Sequence, residues 1–431
     1  MKILNRFTTT LLLLSGATSA CATAIDIGEG WMLSGDERAG HLTYNYGNPD
    51  GDIDISRGHK DSQGFYVIPK ISLETPSFNG LKFKVTGAGA TDFGMNDPEK
   101  ESRLFVFGAE KKPFTILQEA FAQYDSKTHH FVIGRNEIVT PMIESDDYYM
   151  LANSFEVARY DYKGIEDIII TGGYFHKMAG VWDSGADGAN FHTMADTSFV
   201  DSRDKENVSD GGVGFGAIDY KKDEHHLQVW NYYATDLYNT LFAQYDYTKK
   251  LDLMSYNFGL QFINFSEIGE LAKNDFTNIN YSMYSARFDG NIEGGFGFAT
   301  GITKYSDGEG QGATLGAWGG YPYFANGLIF HFFEAGSLRN AASYKVQASY
   351  DFDDLGIKNL HFRGRYTYFS LDDTYSFTYG GGEAQNFMAM YGGQLKYQFL
   401  NGGYFTGTYE THKVENEPIT YALRLIGGYK F

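Results

Sequence analysis

The chain ends in Tyr421-Ala422-Leu423-Arg424-Leu425-Ile426-Gly427-Gly428-Tyr429-Lys430-Phe431. In an extended strand successive side chains point to opposite faces, so Tyr421, Leu423, Leu425, Gly427, Tyr429 and Phe431 share one face and Ala422, Arg424, Gly428 and Lys430 the other. One face is suited to hydrocarbon and the other to water. The same alternation recurs upstream. Leu81, Phe83 and Val85 oppose Lys82, Lys84 and Thr86, and Tyr256, Phe258, Leu260 and Phe262 oppose Asn257, Gly259 and Gln261. Tyr344, Val346, Ala348 and Tyr350 oppose Lys345, Gln347 and Ser349. A closed barrel explains why so many strands keep one wet face: closure leaves no edge, and every backbone group is satisfied inside the bilayer.

Working outward from these strands, tight connections are expected near 76–80, 125–127, 163–164, 221–223, 249–250, 289–291, 353–356 and 400–402. The longer polar connections between them are 47–63, 93–113, 139–153, 178–210, 265–278, 305–340 and 371–385, with two short ones near Thr235 and Glu415. With short turns on the periplasmic side and long loops outside, the strands number about eighteen, and one misread hairpin gives about sixteen. The expected fold is all-β, a transmembrane antiparallel up-and-down barrel.

The first residues read differently. Lys2 and Arg6 precede an apolar stretch centred on 11–14 and the small-residue site Ala22-Thr23-Ala24, the layout of a secretory signal peptide over 1–24, which leaves 25–431 as one barrel domain. A lipoprotein site at Cys21 is the alternative, with Thr18 where an aliphatic residue is usual. Either way the single cysteine lies in or at the edge of the leader, so disulfides and thiolate metal sites have no basis in the mature chain. Without the leader, 33 basic side chains face 54 acidic ones, a net charge of −21, which disfavours nucleic acid as a partner. No apolar run is long enough for a membrane helix, a test that barrels are not expected to meet.

The runs 117–124 (LQEAFAQY), 132–135 (VIGR), 139–141 (VTP) and 146–155 (DDYYMLANSF) resemble the OprD-type porins, densely over about 114–160. Gly35 to Arg38 and 363–370 (RGRYTYFS) support the match. The resemblance implies an eighteen-stranded barrel, monomeric or trimeric, whose third external loop folds inward to narrow the pore. The strand count independently makes 139–153 that loop. Tyr148 and Tyr149 stand where such porins commonly carry an arginine after the loop aspartate, so no substrate is carried over. Tyr429 and the terminal Phe431 look like the signal read by the barrel-assembly machinery.

Parity places Arg363 and Arg365 with His361 and Thr367, away from Phe362, Tyr366 and Tyr368. Facing lipid at the midplane would cost about 2–4 kcal/mol per arginine, so both belong in the lumen. Arg159, Arg287 and Arg424 join them by the same reasoning, whereas Arg135 is ambiguous. These arginines form either a conducting basic track or structural pairs with lumen carboxylates. In the third loop Thr140, Pro141, Glu144, Asp146 and Asp147 are the constriction candidates, the carboxylates supplying an opposite wall or, for Asp146, capping a turn.

Other clusters carry less. Asp50, Asp52 and Asp54 have spacing suited to calcium without the rest of an EF-hand loop, and solvated acids explain them. The acids of 178–210 form a solvated loop or bridge divalent cations to lipopolysaccharide. The pairs His129-His130 and His225-His226 point to opposite faces and make poor chelates. No metal or cofactor is expected, and no nucleophile-elbow, P-loop or zinc-hydrolase motif occurs. The reading is an outer-membrane porin for passive diffusion of small hydrophilic solutes, with anionic or carboxylate-bearing ones as candidates. Its partners are the lipid bilayer, lipopolysaccharide, the assembly machinery and the small polar solutes. The rivals are an adhesin anchored by a barrel and an outer-membrane hydrolase.

Overall fold

The computed structural model describes residues 24–45, 61–101, 105–147, 150–180, 189–197, 208–209, 211–273, 280–307, 318–320, 322–329, 340–372, 385–416 and 418–431. The leader expected over 1–24, apart from its last residue, lies outside them. So do Asp50, Asp52 and Asp54, Tyr148 and Tyr149, and most acids of 178–210.

The strands are β1 (Ile25–Gly28), β2 (Trp31–Asn45), β3 (Ser62–Ile68), β4 (Lys70–Glu74), β5 (Leu81–Ala90), β6 (Phe114–Asp125), β7 (His129–Asn136), β8 (Ser154–Ile165), β9 (Ile168–Ala179) and β10 (Val213–Lys222). They continue with β11 (His225–Ala234), β12 (Tyr238–Lys250), β13 (Met254–Glu267), β14 (Asn280–Ile292), β15 (Phe296–Tyr305), β16 (Ala342–Asp351), β17 (Leu360–Ser370), β18 (Phe387–Gln398), β19 (Gly403–Val414) and β20 (Thr420–Lys430). Neighbours pair antiparallel around the whole circuit, and β20 pairs with β2 to close it. β1 is a short flap on β2, and β3 and β4 are two halves of one crossing, so the barrel has eighteen strands. Pro69, which has no N–H to give the ladder, separates those halves.

The short turns fall within a few residues of their expected places. Lys163-Gly164 and 289–291 are strand residues, and their reversals come later, at 166–167 and 293–295. The reason is positive φ: Asp167 (62°), Gly294 (94°) and Gly295 (87°) adopt the left-handed backbone that a tight hairpin needs.

The surface is inverted relative to a water-soluble protein. Val346 is 55% exposed and Ile133 49%, whereas Thr303, Ser343 and Thr367 on the inner wall are completely buried. Ribbons of outward apolar side chains around a polar inner wall require a bilayer as solvent.

The apolar core lies inside the barrel, toward the long loops. It joins inner-wall residues such as Tyr44, Tyr66, Phe155, Phe215 and Tyr232 to residues of several external connections. Among them are L2 (91–113), which contributes Phe105 and Phe107, L3 (137–153) with Met142, Ile143 and Met150, L4 (180–212) with Met194, and L7 (306–341) with Trp318, Tyr323 and Ile329. Tyr66 holds L2 through its hydroxyl, which donates to Glu101 at 2.5 Å, and by edge-on packing with Phe107 at 5.0 Å.

Candidate functional site

L3 turns inward because polar groups hold both its ends. Lys70 on β4 pairs with Glu137, and Gln118 donates to Glu137 at 3.0 Å and to the Ala152 carbonyl at 2.9 Å. Arg38 on β2 reaches across the lumen to Asp147 at 2.7 Å and to the Met150 carbonyl at 3.2 Å. Asp36 fixes the guanidinium from below at 2.7 Å and accepts from Tyr404 at 2.8 Å. Gly40 leaves room for this crossing, since a Cβ there would lie 2.8 Å from the Met150 sulfur.

The constriction candidates divide. Thr140 is buried and its hydroxyl donates to the Ile143 carbonyl at 2.6 Å, so it shapes the loop. Pro141, Glu144 and Asp146 are half-buried, and Glu144 donates its backbone N–H to the Trp318 carbonyl at 3.0 Å. Asp147 remains 57% exposed to the lumen. Burial alone would raise its carboxyl, but the Arg38 guanidinium beside it, with Arg424 and Lys430 farther off, holds it below the ordinary aspartate value.

A second loop also enters the barrel, which the sequence did not signal. In L7 the Gln261 amide donates to the Pro322 carbonyl at 2.9 Å, and Phe324 lies under the Arg287 guanidinium at 4.5 Å. Arg365 donates to Asn326 Oδ1 at 3.0 Å and to the Gly327 carbonyl at 2.6 Å. Glu410, level with Arg365 across β18, accepts the N–H groups of Leu328 at 2.6 Å and Ile329 at 2.7 Å. Gly301 makes this possible: a Cβ there would lie 2.8 Å from the Phe324 carbonyl oxygen.

The five arginines of the expected track all sit on the inner wall, in unequal surroundings. Arg159 pairs with Asp161 at 2.9 Å, and Arg287 with Asp246 at 2.6 Å and Asp289 at 3.4 Å. Arg365 is committed to L7 and to Gln347. Arg424 lies within the field of Asp147. Arg363 makes no ion pair among the described residues, and its Nε is buried without a hydrogen-bond partner. Arg135, ambiguous in parity, faces outward and pairs with Glu156.

Two cations were missed as members. Lys345 on β16 stands level with Thr367, and Lys396 on β18 stands level with His361. Together with Arg365 and Arg363 they occupy four successive two-residue steps along β17, about 6.8 Å apart. The alternation of β16 and β18 already put both lysines on the wet face, but their adjacency to β17 required the strand order. The histidine pairs sit at the turn ends of their strands, His129 on Tyr160 at 2.7 Å and His226 on Asp219 at 2.7 Å. No cluster of three or more potential metal ligands occurs among the described residues.

A closed eighteen-stranded barrel with a lipid-facing exterior, a polar inner wall and loops drawn into its mouth defines an outer-membrane porin, a channel for small solutes. The model of the family described as outer membrane porin, OprD family, matches residues 124–402, and the chain belongs to that family. Its place is the outer membrane of a Gram-negative cell.

The fold is similar to that of Pseudomonas aeruginosa OccK9 (OpdG), with a TM-score of 0.76 at 12% identity over 94% of this chain and 98% of that one. P. aeruginosa OpdK with vanillate gives 0.71 at 15% identity, covering 93% and 98%. OccK2 (OpdF) of the same organism in complex with glucuronate gives 0.70 at 16%, covering 94% and 98%. None of the curated proteins matches the chain significantly.

Proposed function

We propose that the channel selects small solutes bearing a carboxylate, moving them past Lys345, Arg363 and Lys396 toward the periplasm. The observation that carries this is the diagonal of cations on β16, β17 and β18, in which these three make no ion pair among the described residues. Unpaired cations in a narrow, low-dielectric passage attract anions even though the chain as a whole is acidic, because loop charges more than a Debye length of about 8 Å away are screened. Asp147 on L3 supplies charge of the opposite sign, so a solute crosses a transverse field and aligns its carboxylate with the ladder. Vanillate and glucuronate, present in two of the similar structures, are carboxylates, which agrees with this reading.

The proposed mechanism is filtering by charge and size, without a covalent step. Tyr429 and Phe431 serve as the signal for the barrel-assembly machinery, and lipopolysaccharide is the outer-leaflet neighbour. Liposome swelling tests the selectivity: benzoate should enter faster than uncharged benzamide through wild-type protein, and Arg363→Ser with Lys396→Ser should erase the difference. Equal entry of the two solutes through the wild type would overturn the proposal.

A further inference from the structure

On the outer surface, Arg135 near the end of β7, Glu156 near the start of β8 and His176 near the end of β9 form a polar cluster that plays no part in the channel. Arg135 Nε and Nη2 donate to Glu156 Oε1 at 3.3 and 3.2 Å. His176 Nδ1 lies 3.2 Å from Glu156 Oε2, and the guanidinium stacks over Phe191 at 4.2 Å. All three residues stand at the loop ends of their strands, just beyond Ile133, Ala158 and Tyr174 on the lipid face. Charged side chains are tolerated there, at headgroup level above an aromatic girdle, and not at the midplane.

The cluster forms one side of a recess of about 370 Å³ whose apolar side is lined by Leu117, Ala120, Ile133, Gly134 and Ala158. Strand pairing creates it. β6 extends back to Phe114, but its ladder with β7 stops at Ala120↔Arg135, because the chain after β7 turns into the lumen as L3. Ser154 and Gln118 close the backbone seam: Ser154 Oγ donates to the Gln118 carbonyl, and Gln118 Nε2 to the Ala152 carbonyl. The outer side stays hollow. Gly134 (φ 127°) keeps the strands close at its edge, since a Cβ there would lie 2.3 Å from the Ala120 carbonyl oxygen.

We propose that this recess binds a phosphorylated glycolipid of the outer leaflet, with one acyl chain on Leu117, Ile133 and Ala158 and a phosphate on Arg135 and His176. Glu156 holds one edge of the guanidinium and one imidazole nitrogen. Arg135 Nη1 has no hydrogen-bond partner among the described residues and remains as a donor, and His176 Nε2 likewise has no partner among them. The edge of the Arg135 guanidinium that Glu156 leaves open stands at headgroup depth, where it complements a phosphate oxygen.

Native mass spectrometry of the purified full-length protein in detergent tests this. The probes are diphosphoryl lipid A, its dephosphorylated form and phosphatidylglycerol. The variants are Arg135→Gln with His176→Gln, and separately Ala158→Phe, which fills the recess; heat-modifiable mobility confirms that each is folded. Diphosphoryl lipid A should be retained by the wild type about tenfold more tightly than by either variant, and more tightly than the other two probes. The single-channel conductance of both variants should be unchanged. Equal retention by wild type and variants would overturn the site. Equal retention of phosphatidylglycerol would overturn the glycolipid assignment, and lipid-free multimers that both variants abolish would give the recess to a second copy of the chain.

Discussion

Arg365 of the barrel wall donates to the Gly327 carbonyl of L7 at 2.6 Å, and Arg363, two residues earlier on the same face, makes no ion pair among the described residues. Neighbouring arginines of one strand therefore serve different ends. One fastens a loop; the other keeps a charge that no described carboxylate pairs.

Single substitutions should separate these roles. A unit charge about 7 Å from the ion path is worth about 0.6 kcal/mol in water before screening, roughly a two- to threefold change in local anion concentration. Arg363→Ser should shift the zero-current potential in a salt gradient toward cation preference by about that factor in permeability ratio, and the shift should shrink in molar salt. Arg365→Ser should instead raise single-channel conductance and current noise as L7 loosens. Identical behaviour of the two variants would remove the distinction.

Glu410 holds L7 from the opposite side by accepting two backbone N–H groups. Hydrogen bonds to a charged group contribute about 1.5–3 kcal/mol each. In Glu410→Gln the amide presents N–H to one of those donors, so at least one bond is lost. The expected readouts are larger and noisier open-channel currents and faster proteolysis within L7, with heat-modifiable folding retained.

Asp147 ties L3 to Arg38, and its carboxyl lies below the ordinary aspartate value of 3.8. A depressed value means that the tether is complete above 3.8 and is lost only as pH falls through the lower folded-state value. Wild-type conductance should therefore hold steady from pH 7 to pH 5 and change only in stronger acid. Asp147→Asn should show the acid-type conductance already at pH 7. A wild-type change centred near pH 6 would point to another group.

Gly35 and Phe431 exchange backbone hydrogen bonds of 2.9 and 3.1 Å where the last strand meets the first crossing, and the Phe431 ring fills the space of a Gly35 side chain. Deleting Phe431 should lower the heat-modifiable fraction in the outer membrane several-fold. Gly35→Leu should do the same while leaving the terminal residue in place, through a clash at closure. Normal folded yield of the deletion in cells would place the assembly signal elsewhere.

The alternation of Tyr421 to Phe431, and of the strands like it, determined from sequence alone a barrel with a wet inner wall, because a two-residue period binds each side chain to one face, whereas the count of about eighteen crossings, with sixteen as the alternative, was decided by the closed pairing. The parity of Arg363, Arg365, Arg287, Arg159 and Arg424 followed from the same rule. Turn positions were legible to within a few residues, since left-handed residues such as Asp167 and Gly294 carry only a local signal. What the period could not supply was anything that depends on partners far apart in the chain. Arg38 meets Asp147 across 109 positions, Glu410 meets Leu328 across 82, and Lys396 joins Arg363 only through the register of β17 with β18. L7 entered the lumen unannounced because its apolar residues resemble those of any long loop until Gly301, Arg365 and Glu410 are brought around them. Only the closed barrel decides which of its cations are bound to loops and which are left without an ion pair among the described residues.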